Sequence, residues 1–135
     1  MSISVLIISA VFPPEQVVSA QISESLVEAL HEAGDNVMVI VPFPSRPDGF
    51  DFRGSVSVSK NVSAFVLRER LSCFYLPSYR YPKSGMYGRL RESFSFGWAC
   101  YNHIVNCDIK FDIVYMNTWP IFAQLAVALV CKKKG

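Results

Sequence analysis

Two short apolar runs, one on each side of a helical pattern, limit most strongly what this chain can fold into. Residues 3–8 are almost continuously apolar and largely β-branched, and so is the run NVMVIVP at residues 36–42. Such runs are typical of strands buried on both faces of a parallel sheet. Residues 19–33 have helical periodicity, with Ser19 as the N-cap and Gly34 as the C-terminal stop. Together they predict a parallel β-α-β unit.

The middle of the chain is less regular. The Pro- and Gly-rich residues 42–53 predict a long loop, and residues 56–58 have β character. Residues 64–75 have β character too, and the two segments together predict one or two strands with a turn around residues 60–61.

The last third returns to helix and strand. Residues 87–107 predict a long helix, because apolar side chains recur there at helical spacing. They are Leu90, Phe94, Trp98, Tyr101 and Val105. Residues 111–117 predict another buried strand, and Pro120 starts a helix that runs to Lys132. The predicted fold class is α/β: a Rossmann-like three-layer domain with a mainly parallel sheet.

Composition narrows the function classes. With 135 residues, of which 51% are hydrophobic, the chain predicts one globular domain, and a formal charge of +2 argues against nucleic-acid binding. Its four cysteines lack the spacing of a zinc site, which predicts buried, reduced thiols and favours a cytoplasmic location.

We find neither a signal peptide nor an apolar run long enough to span a bilayer. We expect no cofactor, since the chain has neither GxGxxG nor a P-loop, and no metal, since neither histidine has a partner at metal spacing.

The C-terminal residues CKKKG have the basic last turn and the glycine of a helix that leads into another strand. We therefore expect residues 1–135 to be one domain of a longer protein. A natural stop after Gly135 stays open, because an α/β sheet can also end on a helix.

Three loops follow the predicted strands, at residues 9–19, 42–53 and 117–120. Ligands of open parallel sheets bind beyond the carboxyl ends of the strands. In the first loop, Glu15 is either a site residue or a helix-capping or solvated carboxylate. In the third, Trp119 is either a platform for a sugar ring or a core aromatic residue.

The order of the motifs resembles that of a known enzyme family. The segments VFPPEQVVSAQISESLVEALHEAGDNVMVIVPFPSRPDG and FDIVYMNTWPIFAQLAVAL resemble the N-terminal half of GT-B enzymes of glycosyltransferase family 4. They are most similar to bacterial transferases of colanic-acid and other surface-polysaccharide pathways. The resemblance implies two Rossmann-like domains that face a cleft, the N-terminal one receiving the acceptor and the C-terminal one binding a nucleotide sugar. The C-terminal domain is absent from this chain.

The resemblance implies the following cleft residues for acceptor and donor: Pro14, Glu15, Val18, Ser19, Asn117, Thr118 and Trp119. Many relatives have a Gly-Gly pair near the donor diphosphate where this chain has Val17 and Val18, and β-branched residues oppose such a close approach. Ser19 and Ala20 still offer backbone NH groups there. Asn117 stands where relatives often have a histidine; it cannot act as a base, but it can orient an acceptor hydroxyl. No residue of this half is assigned as catalytic.

The segment YRYPKSGMYGRLRESF interleaves basic and aromatic residues. Its cations are Arg80, Lys83, Arg89 and Arg91. They suit a membrane surface or the pyrophosphate of a carrier lipid. A solvated basic loop and helix start remains the structural alternative.

The predicted function is that of the N-terminal domain of a retaining glycosyltransferase. Its partners would be a nucleotide-sugar donor, held by the absent domain, and a glycan or lipid-linked acceptor of surface polysaccharide synthesis. The protein would act in the cytoplasm, in peripheral contact with the inner face of the membrane, and this fragment alone would be inactive. The alternative is a self-contained α/β module that binds a ligand or a protein without catalysis.

Overall fold

The fold is taken from a computed structural model that describes residues 1–43, 63–79, 85–107, 110–116 and 121–134. These residues form five strands and three helices. In chain order they are β1 (Ser4–Ile8), α1 (Val18–Glu32), β2 (Asn36–Pro42), β3 (Ser63–Arg68), β4 (Leu71–Leu76), α2 (Met86–Asn106), β5 (Ile113–Met116) and α3 (Ile121–Lys134).

The strands form one sheet in the order β3-β4-β2-β1-β5. The pairs β4-β2, β2-β1 and β1-β5 are parallel, and β3 joins β4 in antiparallel orientation. The predicted β-α-β unit is confirmed, with Ser4 of β1 opposite Asn36 of β2 and Ile8 opposite Ile40. The prediction of an α/β domain with a mainly parallel sheet is therefore confirmed as well.

Helices cover both faces of the sheet. Strand residues such as Val5, Ile7 and Val39 pack on one face with Val27 of α1. On the other face, Leu6, Ile8 and Ile40 pack with α2 and α3. The helical side chains buried there are Phe96, Cys100, Ile104, Ala123, Val127 and Val130. Alternate residues of the central strands are thus buried on opposite faces, as the continuous apolar runs predict.

The start of α1 corrects one prediction. The N-cap is Val17, in extended conformation and without a side-chain capping hydrogen bond, so Ser19 lies inside the first turn. Ile22, part of the apolar pattern that predicts the helix, is 66% exposed, whereas Ala20 and Val27 are buried. The C-terminal stop is confirmed, since Gly34 has a φ of 89°, a left-handed conformation that favours glycine.

The face of α2 also differs from the expectation. All of the residues whose spacing predicts this helix are exposed except Tyr101, which is half-buried. A second set, which includes Phe96, Cys100 and Ile104, faces the sheet instead. The helix carries two apolar stripes, and only one of them belongs to the core.

Strand β5 is not the buried strand that its sequence predicts. It pairs only with β1 in the described sheet, and Ile113 and Tyr115 are each about half exposed. Alternation of half-buried and exposed residues is what an edge strand shows when only one of its faces is covered.

The β3-β4 hairpin turns at residues 69–70, where Arg70 has a φ of 66°. It is fixed to α1 by two contacts. His31 Nε2 lies 2.9 Å from the carbonyl oxygen of Glu69, and Arg68 donates to the carboxylate of Glu28 at 2.9 Å. The turn predicted at residues 60–61 and the strand predicted at residues 56–58 lie outside the described residues.

The four cysteines all lie in the described part of the chain, and none of them forms a disulfide. Cys73 and Cys100 are buried as expected, but Cys131 is exposed, so the prediction of buried thiols is wrong for that residue. It lies on the outer part of α3, near the end of the helix.

Helices α2 and α3 pack tightly at Gly97, which lies in the middle of α2. A Cβ atom there would lie 2.7 Å from the backbone carbon of Phe122 and 2.9 Å from the backbone nitrogen of Ala123. Backbone atoms cannot move aside as a flexible side chain can, so any larger residue would push the two helices apart.

We therefore expect Gly97→Ala to lower the free energy of unfolding by roughly 1–3 kcal/mol, measured by urea denaturation. A decrease would be informative, because replacing glycine with alanine in a helix interior normally raises the free energy of unfolding by about 1 kcal/mol. A comparison variant is Gly85→Ala at the N-cap of α2, where an added Cβ meets nothing within 4 Å and only the capping preference for glycine is lost. An equal or greater stability of Gly97→Ala would contradict the close helix contact.

Candidate functional site

The candidate site lies at the carboxyl edge of the parallel strands. Here β1 ends at Ile8 and β2 at Pro42, and residues 9–17 run from the end of β1 to the start of α1. This position is where open parallel sheets bind their ligands. Residues 9–17 with the first turn of α1 are called the first loop below.

Two serines anchor the first loop to the sheet and to α1. The backbone NH of Ser9 donates to the carbonyl oxygen of Ile40 at 3.1 Å, which continues the sheet beyond β1. The Ser9 hydroxyl donates to the carbonyl of Val11 at 2.8 Å and lies 3.0 Å from the hydroxyl of Ser23. The buried Ser9 thus joins the end of β1 to the second turn of α1.

The loop is also tied to β4. The peptide bond between Pro13 and Pro14 is cis, and the carbonyl oxygen of Pro13 accepts a hydrogen bond from the hydroxyl of Tyr75. The turn closes with a bond from the NH of Glu15 to the carbonyl of Phe12 at 3.2 Å. The loop is therefore fixed both by β2, which neighbours β1, and by β4, the next strand beyond β2.

Glu15 is a buried carboxylate, with 6% of its surface exposed, so it is not a solvated residue. Burial raises the pKa of Tyr75 above its usual range, and the neighbouring Cys73, Glu15 and Glu24 raise it further. Burial also raises the pKa of the Cys73 thiol to about 12. Tyr75 therefore remains a neutral hydrogen-bond donor throughout the physiological pH range.

The first turn of α1 contains backbone NH groups that the helix itself does not satisfy. The carbonyl oxygen of Val17 is the first acceptor of the helix, and it accepts a hydrogen bond from the NH of Ala20 at 3.0 Å. The NH groups that precede Ala20 in the first turn have no acceptor within an α-helix. Val18 is 72% exposed and Ser19 is exposed, so this end of the helix lies at the surface. Such a helix start favours anionic groups.

The structure brings together part of the predicted cleft. Pro14, Glu15, Val18 and Ser19 lie in the first loop, with Pro14 half-buried. Asn117, Thr118 and Trp119 lie outside the described residues. Strand β5 ends at Met116, which pairs with Ile8, so residue 117 follows a strand end at the same edge as the first loop.

The predicted basic segment is described only in part, because Arg80 and Lys83 lie outside the described residues. Arg89 and Arg91 are exposed in the first two turns of α2. The guanidinium of Arg91 lies 4.2 Å from the centre of the Tyr79 ring, a cation-π contact.

Both histidines make contacts that suit a structural role. His31 holds the hairpin turn, and the ring of His103 lies 4.7 Å from that of Phe74. Burial lowers the pKa of His103, so it is neutral near pH 7. Among the described residues, no three His, Cys, Asp or Glu side chains come together in a way that could hold a metal ion.

Sequence reasoning missed Ser9, Ser23 and Tyr75 as residues that support the site. Ser9 follows a strand end and Ser23 lies one turn into the helix, so their positions in the sequence only weakly indicate a role near the site. Tyr75 is separated from Pro13 by 62 positions in sequence. No local pattern reveals that contact.

Comparison with known proteins agrees with this description of the fold. The chain has a Rossmann-like α/β fold. A solved neighbour is the catalytic domain of starch synthase IV from Arabidopsis thaliana, bound to ADP and acarbose, with a TM-score of 0.68 and 19% identity. The match covers 98% of this chain and 32% of the neighbour, so this chain spans about a third of that length. No protein-family model and no curated protein matches the sequence.

We expect Tyr75→Phe to lower the free energy of unfolding by about 1 kcal/mol at pH 7, because the carbonyl of Pro13 loses its donor. The pKa of Tyr75 is higher in the folded than in the unfolded chain. The folded chain therefore favours the neutral form of Tyr75. The resulting stabilisation is fully present below about pH 10 and is lost as the pH rises further. The variant should therefore lose less stability above pH 10 than the wild type.

Urea denaturation at pH 7 to 11 measures both effects. The matched control is Tyr115→Phe, because Tyr115 is half exposed on β5 and should change neither quantity. Parallel pH curves for Tyr75→Phe and the wild type would exclude the contribution assigned to Tyr75.

Proposed function

We propose that this chain is the acceptor-side domain of a retaining glycosyltransferase that uses a nucleotide-sugar donor. One observation carries the proposal: a first loop fixed at the carboxyl edge of a sheet whose whole fold resembles part of a glycosyltransferase catalytic domain. The likeness shows the fold, and the function is inferred from the position of the loop.

The donor would be bound mainly by a second domain, across a cleft from the first loop. Two facts support this division. The chain spans about a third of a neighbour that was solved with ADP and acarbose. In addition, the first loop carries Val17 and Val18 in place of the glycines that would let a backbone approach a diphosphate. The start of α1 would still attract the charge of the donor phosphates.

The acceptor hydroxyl would lie between the first loop and the residues after β5. Asn117 would orient this hydroxyl, and its proton would pass to the donor phosphate, as the resemblance to family 4 implies. Trp119 would support a sugar ring by stacking. Glu15 would stabilise the conformation of the first loop from its buried side rather than contact the acceptor, since Glu15 is buried.

The acceptor would be linked to a lipid in surface polysaccharide synthesis. Arg89 and Arg91, which are exposed near the start of α2, would bind its phosphates together with Arg80 and Lys83. The protein would then work at the inner face of the membrane. No helix among the described residues is long and apolar enough to cross the bilayer.

A carboxylate placed at the start of α1 tests the role of the first loop. Val18→Asp should leave the fold intact, because Val18 is 72% exposed and acidic residues stabilise a helix start. Repulsion of the donor phosphates should raise the KM for the nucleotide sugar about tenfold in the full-length gene product. Transfer of labelled sugar to a lipid extract measures this.

The matched control is Ile22→Asp, one turn further along the same helix and 66% exposed. Its KM should stay within about twofold of the wild type. Equal KM values for the two variants would argue against a donor near the start of α1, and failure of the full-length product to transfer any sugar would overturn the proposed activity.

A second candidate function, a self-contained binding module, makes the opposite prediction for the isolated chain. We expect these 135 residues to bind nucleotide sugars no more tightly than about 1 mM in calorimetry, because the donor contacts belong to the other domain. Micromolar binding would assign the donor site to this chain and favour the binding module.

A further inference from the structure

The side of α2 and α3 that faces away from the sheet is unusually apolar. Six large side chains there are between 48% and 65% exposed. They are Leu90, Phe94 and Trp98 of α2 and Ile121, Leu125 and Leu129 of α3. We call this set the outer helical surface.

These residues lie along two adjacent helices on the side opposite the core. Within each helix they are spaced four residues apart, which places them along one side. The buried side chains of the same helices, such as Cys100 and Val127, face the sheet. The helices are held side by side by Gly97 against the backbone of Phe122, and by Phe94 against the Phe122 ring at 5.5 Å.

The charged residues of helices α2 and α3 themselves have one sign, with a single exception. Helix α3 contains no acidic residue, and Glu92 is the only one in α2. Arg91 is exposed near the start of α2, while Lys132 and Lys133 are exposed in the last turn of α3. Cations therefore lie at both ends of the apolar rows.

We propose that the outer helical surface binds the surface of an anionic lipid bilayer. The apolar rows would enter the boundary between headgroups and acyl chains, and Arg91, Lys132 and Lys133 would contact lipid phosphates. Trp98 is suited to this boundary, because its ring has an apolar body and a polar NH, and it stacks on Tyr101 at 6.1 Å.

The charge pattern favours lipid over a second copy of the chain. In a symmetric dimer the same surface would face itself, so the cations of one chain would lie near those of the other. Glu92 is the only acidic residue on these helices that could offset their repulsion. An anionic bilayer complements both the apolar rows and the cations at their ends.

This inference deepens the proposed function by adding a binding surface, but its evidence does not depend on sugar transfer. A bilayer along α2 and α3 would lie beside the carboxyl edge of the sheet, since α2 starts shortly after β4 ends there. A lipid-linked acceptor could then reach the first loop from the membrane plane.

Fluorescence provides the test. In a Trp119→Phe background, Trp98 is the only tryptophan of the chain. Its emission should shift to shorter wavelength when vesicles of phosphatidylglycerol and phosphatidylcholine are added, and the protein should sediment with them. Vesicles of phosphatidylcholine alone should bind at least about tenfold more weakly.

Two double variants separate the apolar and charged contributions. Leu90→Glu with Leu125→Glu should abolish sedimentation with the vesicles, and Lys132→Gln with Lys133→Gln should reduce binding about tenfold at low salt. The control is Ile22→Glu, at an apolar residue of α1 that is 66% exposed on the opposite layer; this variant should bind as the wild type does. Thermal denaturation confirms that each variant is folded.

Two results would overturn the proposal. One is that Leu90→Glu with Leu125→Glu binds vesicles as well as Ile22→Glu does. The other is that the wild type forms a dimer in analytical ultracentrifugation without lipid, and that the same pair of substitutions dissociates it, which would assign the surface to a second copy. Sugar transfer is measured separately, so its loss or retention does not affect either result.

Discussion

The structure depends on burying both faces of its three central strands. Each of β1, β2 and β4 places alternate apolar residues on opposite sides, as Ile7 and Ile8 do, so neither side can be left to solvent. Helix α1 covers one side and the α2-α3 pair covers the other. Because the strands run parallel, their carboxyl ends gather at one edge, and the first loop must form there.

The central part of this fold could be predicted because its signal is local. The bounds of β2 and the type of each helix follow from apolar periodicity within a few residues. The start of α1 could not be predicted in the same way, since Val17 caps the helix without a side-chain hydrogen bond. The exposure of β5 could not be predicted either, because an apolar β-branched run is equally compatible with an edge strand and a central strand. Helix α2 has two apolar stripes, and packing against the sheet and α3 determines which of them is buried.

The candidate site shows the same limit. The loop that contains Pro14 and Glu15 could be located because it interrupts the transition from strand to helix, and the resemblance to family 4 implies that these two residues line a cleft. The contacts that fix them come from elsewhere: Tyr75 is distant in sequence, and the bond between the NH of Ser9 and Ile40 depends on the pairing of β1 with β2. A site built across several strands can be located from sequence by its loops, whereas the residues that hold those loops emerge only with the tertiary structure.

The hairpin of β3 and β4 has a consequence for how such domains diverge. It is attached to β2 through the sheet and to α1 through His31 and Arg68. Positions 44–62 therefore connect two points, Phe43 and Ser63, that are each secured by their own contacts. Insertions and deletions in that interval need not shift the strands that support the first loop. The length of this connection can therefore change in evolution while the strands that support the first loop keep their pairing.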